Sequence, residues 1–187
     1  MYEKIRQTVL ALGARSAAVI KVSEIPFEPG FRKLCESNAC GNFGGCYTCP
    51  PDVGEIDELI REAKSYRYAV VYQTVWDLED SYDFEGMMLA GQRHNDLIQA
   101  VRESAEVKQA GKILHLGAGG CRVCSACGKK TGQPCRHPQL ALASMEAYGI
   151  NVSELSRLCG MKYINGENTV TYFGMVLAGR DEGEDGK

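Results

Sequence analysis

The apolar positions along the chain alternate between two spacings. Tyr68–Trp76 (YAVVYQTVW) is an almost unbroken apolar run of strand length, the pattern of a strand covered on both faces. Ser16–Val22 (SAAVIKV) and Lys112–Leu116 (KILHL) are shorter runs of the same kind. Helical spacing governs Tyr2–Leu12, Ile56–Ser65 and the longest stretch, Glu85–Gln109. There Ala90, Leu97, Ile98, Val101 and Ala105 share one face, and Gly111 supplies a stop. Pro138 near the first position and Gly149 just past the last predict another helix over Pro138–Tyr148. Asn151 and Glu154 cap a further short one. Met161–Ile164, the Asn165-Gly166 pair and Thr169–Ala178 predict a strand, a turn and a strand. Strands interleaved with helices predict an α/β (or α+β) fold, a central mainly parallel or mixed sheet flanked by helices. One domain is expected over residues 1–179, with Arg180–Lys187 as an acidic flexible tail.

Two stretches follow neither spacing. Pro26–Pro51 and Gly117–Cys135 are rich in Gly, Pro, Asn and Cys, and must be organised by something other than a core. A chain of 187 residues with 44% hydrophobic residues buries enough to fold without covalent staples. Its nine cysteines, an odd number gathered mostly into these two stretches, therefore point to metal ligation or redox chemistry rather than a disulfide framework. Met1–Leu12 mixes charged and apolar residues, unlike a signal peptide, and no run approaches the roughly 20 apolar residues of a membrane helix. A cytoplasmic protein without membrane insertion is expected. The net charge of −3 leaves no basic field for nucleic acid.

The second stretch reads GAGGCRVCSACGKKTGQPCRHP. Cys121, Cys124 and Cys127 form a continuous C-x-x-C-x-x-C, which wraps three corners of a cubane, and Cys135 is placed to supply the fourth. Structural zinc, the alternative, usually takes two separated C-x-x-C knuckles. Glycines let backbone N–H groups approach cluster sulfurs. The start of the helix expected at Pro138 would face an anionic cluster with its positive end. Arg122, Lys129, Lys130, Arg136 and His137 add positive charge that raises a cluster's potential, or are simply a solvated loop.

The first stretch reads CESNACGNFGGCYTCPP. Cys35, Cys40, Cys46 and Cys49 make one metal site the simplest account, iron–sulfur or zinc, and Cys49-Pro50 matches the Cys-Pro that closes many cluster loops. The two quartets could also exchange ligands. The cluster-binding loops are thus placed near residues 31–51 and 117–138.

These residues resemble a family of predicted metal-binding proteins, a domain of unknown function found in anaerobic bacteria and archaea. The resemblance is carried by C-G-x-F/Y…C-x-x-C-P-P (Cys40–Pro51), by the C-x-x-C-x-x-C of Cys121–Cys127, and by Pro134-Cys135-Arg136-His137-Pro138 followed by Ser144–Val152. It implies a metal or iron–sulfur role, without a substrate or a reaction.

Outside the quartets, Cys159 reads as a buried structural thiol, His94 as a hydrogen-bonded histidine on the long helix, and His115 as a strand residue. His137, beside the cluster ligands, could carry a proton coupled to reduction. Leu116–Gly120 (LGAGG) lacks the full G-x-G-x-x-G of a dinucleotide loop. Tyr66, Tyr68, Tyr72 and Trp76 read as core or sheet. No carboxylate pair or nucleophile–base pair stands out. The expectation is a protein with two [4Fe-4S] clusters that transfers electrons to or from a redox partner protein. The alternatives are an enzyme using an open iron to activate a small substrate and a zinc-stabilised interaction module.

Overall fold

The computed structural model describes residues 1–179. The acidic tail read over Arg180–Lys187 lies outside the described residues. The elements are α1 (Tyr2–Ala11), β1 (Ser16–Lys21), α2 (Phe31–Glu36), α3 (Ile56–Lys64), β2 (Tyr68–Asp77), α4 (Phe84–Glu103), α5 (Ala105–Lys108), β3 (Leu114–Leu116), α6 (Val152–Leu158) and β4 (Thr169–Ala178). No described helix is long and apolar enough to cross a membrane.

The strands form one sheet in the order β1-β2-β4-β3, and every neighbouring pair is antiparallel. This corrects the mainly parallel or mixed sheet expected from the sequence. The apolar run of β2 does report burial on both faces, because Ala69 and Val71 pack into one core and Val70 and Tyr72 into the other. Burial on two faces says nothing about strand direction. Here direction follows from the pairing of β2 with β4 over ten residues each, from Tyr68↔Ala178 to Asp77↔Thr169. Ile5 and Val9 of α1 and Leu97, Ile98 and Val101 of α4 cover one face. Leu59 and Ala63 of α3, Leu155 of α6, and Met145, Tyr148 and Ile150 cover the other. The protein is therefore a helix–sheet–helix sandwich, as both-face burial of the central strands requires.

Four local expectations change. The helix expected over Glu85–Gln109 is broken at Ser104, which turns extended and caps α5 by accepting from the Val107 N–H at 3.4 Å. The helix expected over Pro138–Tyr148 is reduced to a turn at His137–Ala141 and a 3-10 turn at Glu146–Tyr148. Its middle is extended instead, because Gly117 N–H donates to Ala143 O at 2.9 Å and Met145 N–H to Gly117 O at 3.1 Å. Tertiary pairing with the second cysteine loop outweighs local helix propensity there. Met161–Ile164 is irregular, with Ile164 75% exposed, so the expected strand before Asn165-Gly166 has no partner to pair with. Within Pro26–Pro51, Phe31–Glu36 is helical and carries Cys35.

Polar side chains thread the core beside the sheet. Tyr72 and His115 hydrogen-bond at 2.7 Å between the phenol and Nε2. Gly174 faces Tyr72 across the β2–β4 ladder, and any side chain there would overlap the Tyr72 ring, so glycine is what lets the ring lie across β4. His94 donates from Nε2 to Phe173 O at 3.1 Å, since a carbonyl only accepts; its Nδ1 therefore accepts from the Thr74 hydroxyl at 2.8 Å. Burial, first of all, holds His94 down to about 4, so it is neutral at pH 7.

Candidate metal centre

The sheet and helices leave the two cysteine loops side by side. The second loop leaves β3 after Leu116 and is pinned at Gly117 by the pairing with Ala143 and Met145. It folds back on itself where the Gln133 N–H donates to Gly128 O at 2.9 Å and Arg136 donates to Ala126 O. This return brings Cys135 to the cavity that Cys121, Cys124 and Cys127 line, together with His137. The first loop begins on α2 and turns at Asn38, whose carbonyl oxygen on the side chain accepts from the Phe43 N–H at 3.0 Å. Gly44 N–H donates to Pro50 O at 2.8 Å, closing the segment that carries Cys46 and Cys49.

The loops are joined by specific contacts. Lys129 pairs with Asp52 and lies over the Tyr47 ring, 5.5 Å from its centroid. The Tyr47 hydroxyl donates to Gln133 O at 2.8 Å. A Cβ on Gly120 would come within 2.6 Å of the Asn42 Oδ1, so the second loop passes close against the Asn42 side chain of the first. The two quartets are therefore neighbours, an arrangement that sequence spacing did not contain.

The thiols of the first quartet differ in their surroundings. Cys35, Cys40 and Cys49 line a cavity of about 490 Å³ whose wall is completed by Phe31, Leu34, Phe43, Glu146 and the Gly119-Gly120 backbone. Cys46, 5% exposed, is not on that wall. The Cys49 thiol donates to it, and with the Thr48 hydroxyl 3.5 Å away and the Cys121 amide this brings the Cys46 thiol down to about 5 despite its burial. The same hydrogen bond, with burial, pushes Cys49 well up. Burial raises Cys35 and Cys121. Near Cys35, the Glu146 carboxyl is itself raised by burial, and its Oε2 is buried with no hydrogen-bond partner.

All nine cysteines are free thiols. Among the described residues, no three His, Cys, Asp or Glu side chains are grouped closely enough, as they stand, to hold a single metal ion. Each quartet instead borders a cavity, completely for the second and through three thiols for the first. Soft thiolates bordering a cavity suit iron in a sulfide cluster. The positive end of a helix at Pro138, expected from sequence, is absent because no helix starts there. The basic residues serve the loop's own closure in part, through Lys129 on Asp52 and Arg136 on Ala126 O. Arg122 lies across the Tyr172 ring, 5.7 Å from its centroid, and so ties Cys121 to β4. Cys159 ends α6 and packs against the core on the α3 and α6 side of the sheet, and burial pushes its thiol up to about 11.

Sequence reasoning missed Glu146. It stood in a stretch read as helix, and no spacing ties it to the cysteines.

A family model described as predicted metal-binding protein (DUF2284) matches residues 18–178. No curated protein and no solved structure matches the chain.

Proposed function

The chain belongs to the predicted metal-binding protein family (DUF2284), and from that premise we propose that it is an iron–sulfur protein with two four-iron clusters, serving electron transfer to or from a partner protein. Cys35, Cys40, Cys46 and Cys49 are assigned to one centre, and Cys121, Cys124, Cys127 and Cys135 to the other. Such clusters supply one-electron oxidation and reduction when bound. The observation that carries the reading is the joining of the two cysteine loops by Lys129 on Asp52 and by the Tyr47 hydroxyl on Gln133 O. Centres held by loops joined in this way would lie in adjoining segments, as an electron relay needs. The C-x-x-C-x-x-C run adds support for iron–sulfur over zinc. Nine free thiols suit a reducing compartment, so the reading places the protein in the cytoplasm.

A second reading is favoured by the cavity at the first quartet. Three thiols on the wall of about 490 Å³, with Cys46 off it, suit a cluster held by three cysteines whose remaining iron is open to a small substrate. Iron, zinc and acid-labile sulfide per chain, measured on anaerobically purified protein, test both. About eight iron and eight sulfide are expected for two four-iron clusters. Stoichiometric zinc without sulfide would overturn both readings and leave the zinc-stabilised module. Broadening or a shift of the low-temperature spin spectrum on adding a substrate would separate the second reading from the first.

A further inference from the structure

Large apolar side chains grouped on a surface mark a place where another molecule is held. Tyr82, just before α4, is 80% exposed, and Phe84 and Met88 of α4 are each 68% exposed. Phe84, Met88 and Gly91 follow one another at four and three residues, so they lie along one side of the helix. Arg122 is packed against that side, where a Cβ on Gly91 would come within 2.6 Å of its guanidinium carbon. The same guanidinium lies over the Tyr172 ring, and the Tyr172 hydroxyl donates to Met87 O at 2.9 Å. The apolar strip therefore runs from the start of α4 to the residue after Cys121, at the edge of the second cysteine loop. Its surroundings are acidic. Glu79, Asp80 and Glu85 are exposed in the segment leading into α4 and in its first turn. The Ser81 hydroxyl, on the Asn168 side chain at 3.3 Å, brings exposed Glu167 alongside. Among the described residues, Glu79, Glu85 and Glu167 form no ion pair. The cations beside the strip are engaged, Arg122 on Tyr172 and Arg93 over Trp76.

We propose that this strip is the docking surface for the redox partner, and that the partner is a protein with a basic rim around an apolar centre. Aromatic and methionine side chains are enriched where proteins meet, and an acidic rim steers and selects a basic partner. The same rim disfavours a second copy of this chain, because a two-fold contact would bring like charges together. Docking here places the partner beside the Cys121 loop, so the second centre is the one that exchanges electrons with it. The inference rests on the reading that the protein passes electrons to or from a partner protein.

Oxidised cytochrome c, a small redox protein with lysines around its haem edge, serves as the probe. In the reaction followed, the reduced centre loses one electron and the ferric haem becomes ferrous. The parent is compared with Phe84→Ser/Met88→Ser, with Glu79→Gln/Glu85→Gln/Glu167→Gln and with Leu158→Ser, all full-length and purified anaerobically. Stopped-flow gives the second-order rate constant and calorimetry the binding at low salt. Iron content and a visible spectrum equal to the parent's show that a variant folds, and the single Phe84 and Met88 variants replace the double one if it loses iron. The parent's rate should fall about tenfold or more as salt rises to about 0.3 M. The apolar variant keeps every charge, so it should be about tenfold slower with the same salt dependence. The carboxamide variant should be slower at low salt and nearly independent of salt. Leu158, 45% exposed on α6 at the opposite face of the sheet, is the control, and Leu158→Ser should match the parent. A parent-like rate in the apolar variant, an equal loss in Leu158→Ser, or a parent that does not bind cytochrome c overturns the proposal. So does a parent that sediments as a dimer and an apolar variant that sediments as a monomer, which would assign the strip to self-association. A parent with no reducible centre is a different failure, that of the electron-transfer reading. Calorimetry then still decides the strip, by whether the apolar variant binds oxidised cytochrome c about tenfold more weakly than the parent.

Discussion

The Tyr47 hydroxyl donates to Gln133 O at 2.8 Å, so the loop that carries the first quartet is tied to the loop that carries the second. Residues 86 positions apart in the sequence are brought into contact, and Gly120 crosses Asn42 with no side chain between them. On the two-cluster reading, paramagnetic centres in adjoining loops interact. The fully reduced protein should show spin spectra broadened or split by that interaction. Cys124→Ser, which removes the second centre, should return the first centre's spectrum to a simple one. Spectra of the fully reduced parent that are the sum of two independent centres would argue against the adjacency.

Metal removal should loosen both loops together. Neither Cys40–Pro51 nor Gly117–Pro134 carries enough apolar burial to order itself, so on the proposed reading ligation would contribute to their folding free energy. The pairings Lys129–Asp52 and Tyr47–Gln133 couple one loop to the other. Limited proteolysis and hydrogen exchange after chelation under reducing conditions should find both segments exposed. β2 and α4, buried in the two cores, should stay protected. Protection of one loop with loss of the other would show that the contacts between them do not couple their order.

How far the site was legible follows from which residues act locally. The cysteine spacing is local, and all four thiols of the second quartet do border one cavity. The apolar run of β2 is also local, and it foretold a strand covered on both faces, though its antiparallel direction depends on β4, about a hundred residues further on. Pro138–Tyr148 misled because Pro138 and Gly149 are sound helix punctuation, and only the pairing of Gly117 with Ala143 and Met145 draws the segment straight. Glu146 was invisible for the same reason. Nothing in a sequence distinguishes one carboxylate in a presumed helix from another until its burial and its unpartnered oxygen are seen.

Acid should destabilise the protein through His94 more than through an exposed histidine. Its folded value is held near 4 by burial, against an ordinary 6.5. The folded state therefore resists the proton that the unfolded state accepts. This contribution is fully present at pH 7, and it is lost as pH falls through 6.5 toward 4. By pH 5 the loss is about 2 kcal/mol, at roughly 1.4 kcal/mol for each tenfold difference in proton affinity. Removing the titrating group in His94→Gln also costs stability at pH 7, because the Thr74 and Phe173 hydrogen bonds are disturbed. The variant's further loss between pH 7 and pH 5 should nevertheless be about 2 kcal/mol smaller than the parent's. Denaturant titrations of both proteins at the two pH values measure the difference, and parallel losses would mean that His94 is not the titrating group.

The cysteines of the second loop should not be equivalent to one another, nor to Cys159. Cys121, Cys124 and Cys127 belong to one tight loop lining one cavity, in which no neighbouring thiol can take over a lost corner. Serine at any of the three should lose or degrade that centre, leaving about four iron per chain. Cys135 reaches the same cavity across the fold that Gln133 and Gly128 close, and a four-iron cluster survives on three thiolates. Cys135→Ser should therefore keep a centre with an altered spectrum, or shift it toward a three-iron form. Cys159 packs against the core at the end of α6, on the α3 and α6 side of the sheet. Cys159→Ser should leave iron, sulfide and both spectra unchanged, at a cost of roughly 1 kcal/mol in stability from a hydroxyl placed in apolar surroundings. Iron content and spin spectra of the five variants check all of this at once. If Cys159→Ser loses a centre while Cys135→Ser matches the parent, then Cys159 is the fourth ligand and the loop closed by Gln133 and Gly128 is scaffolding alone.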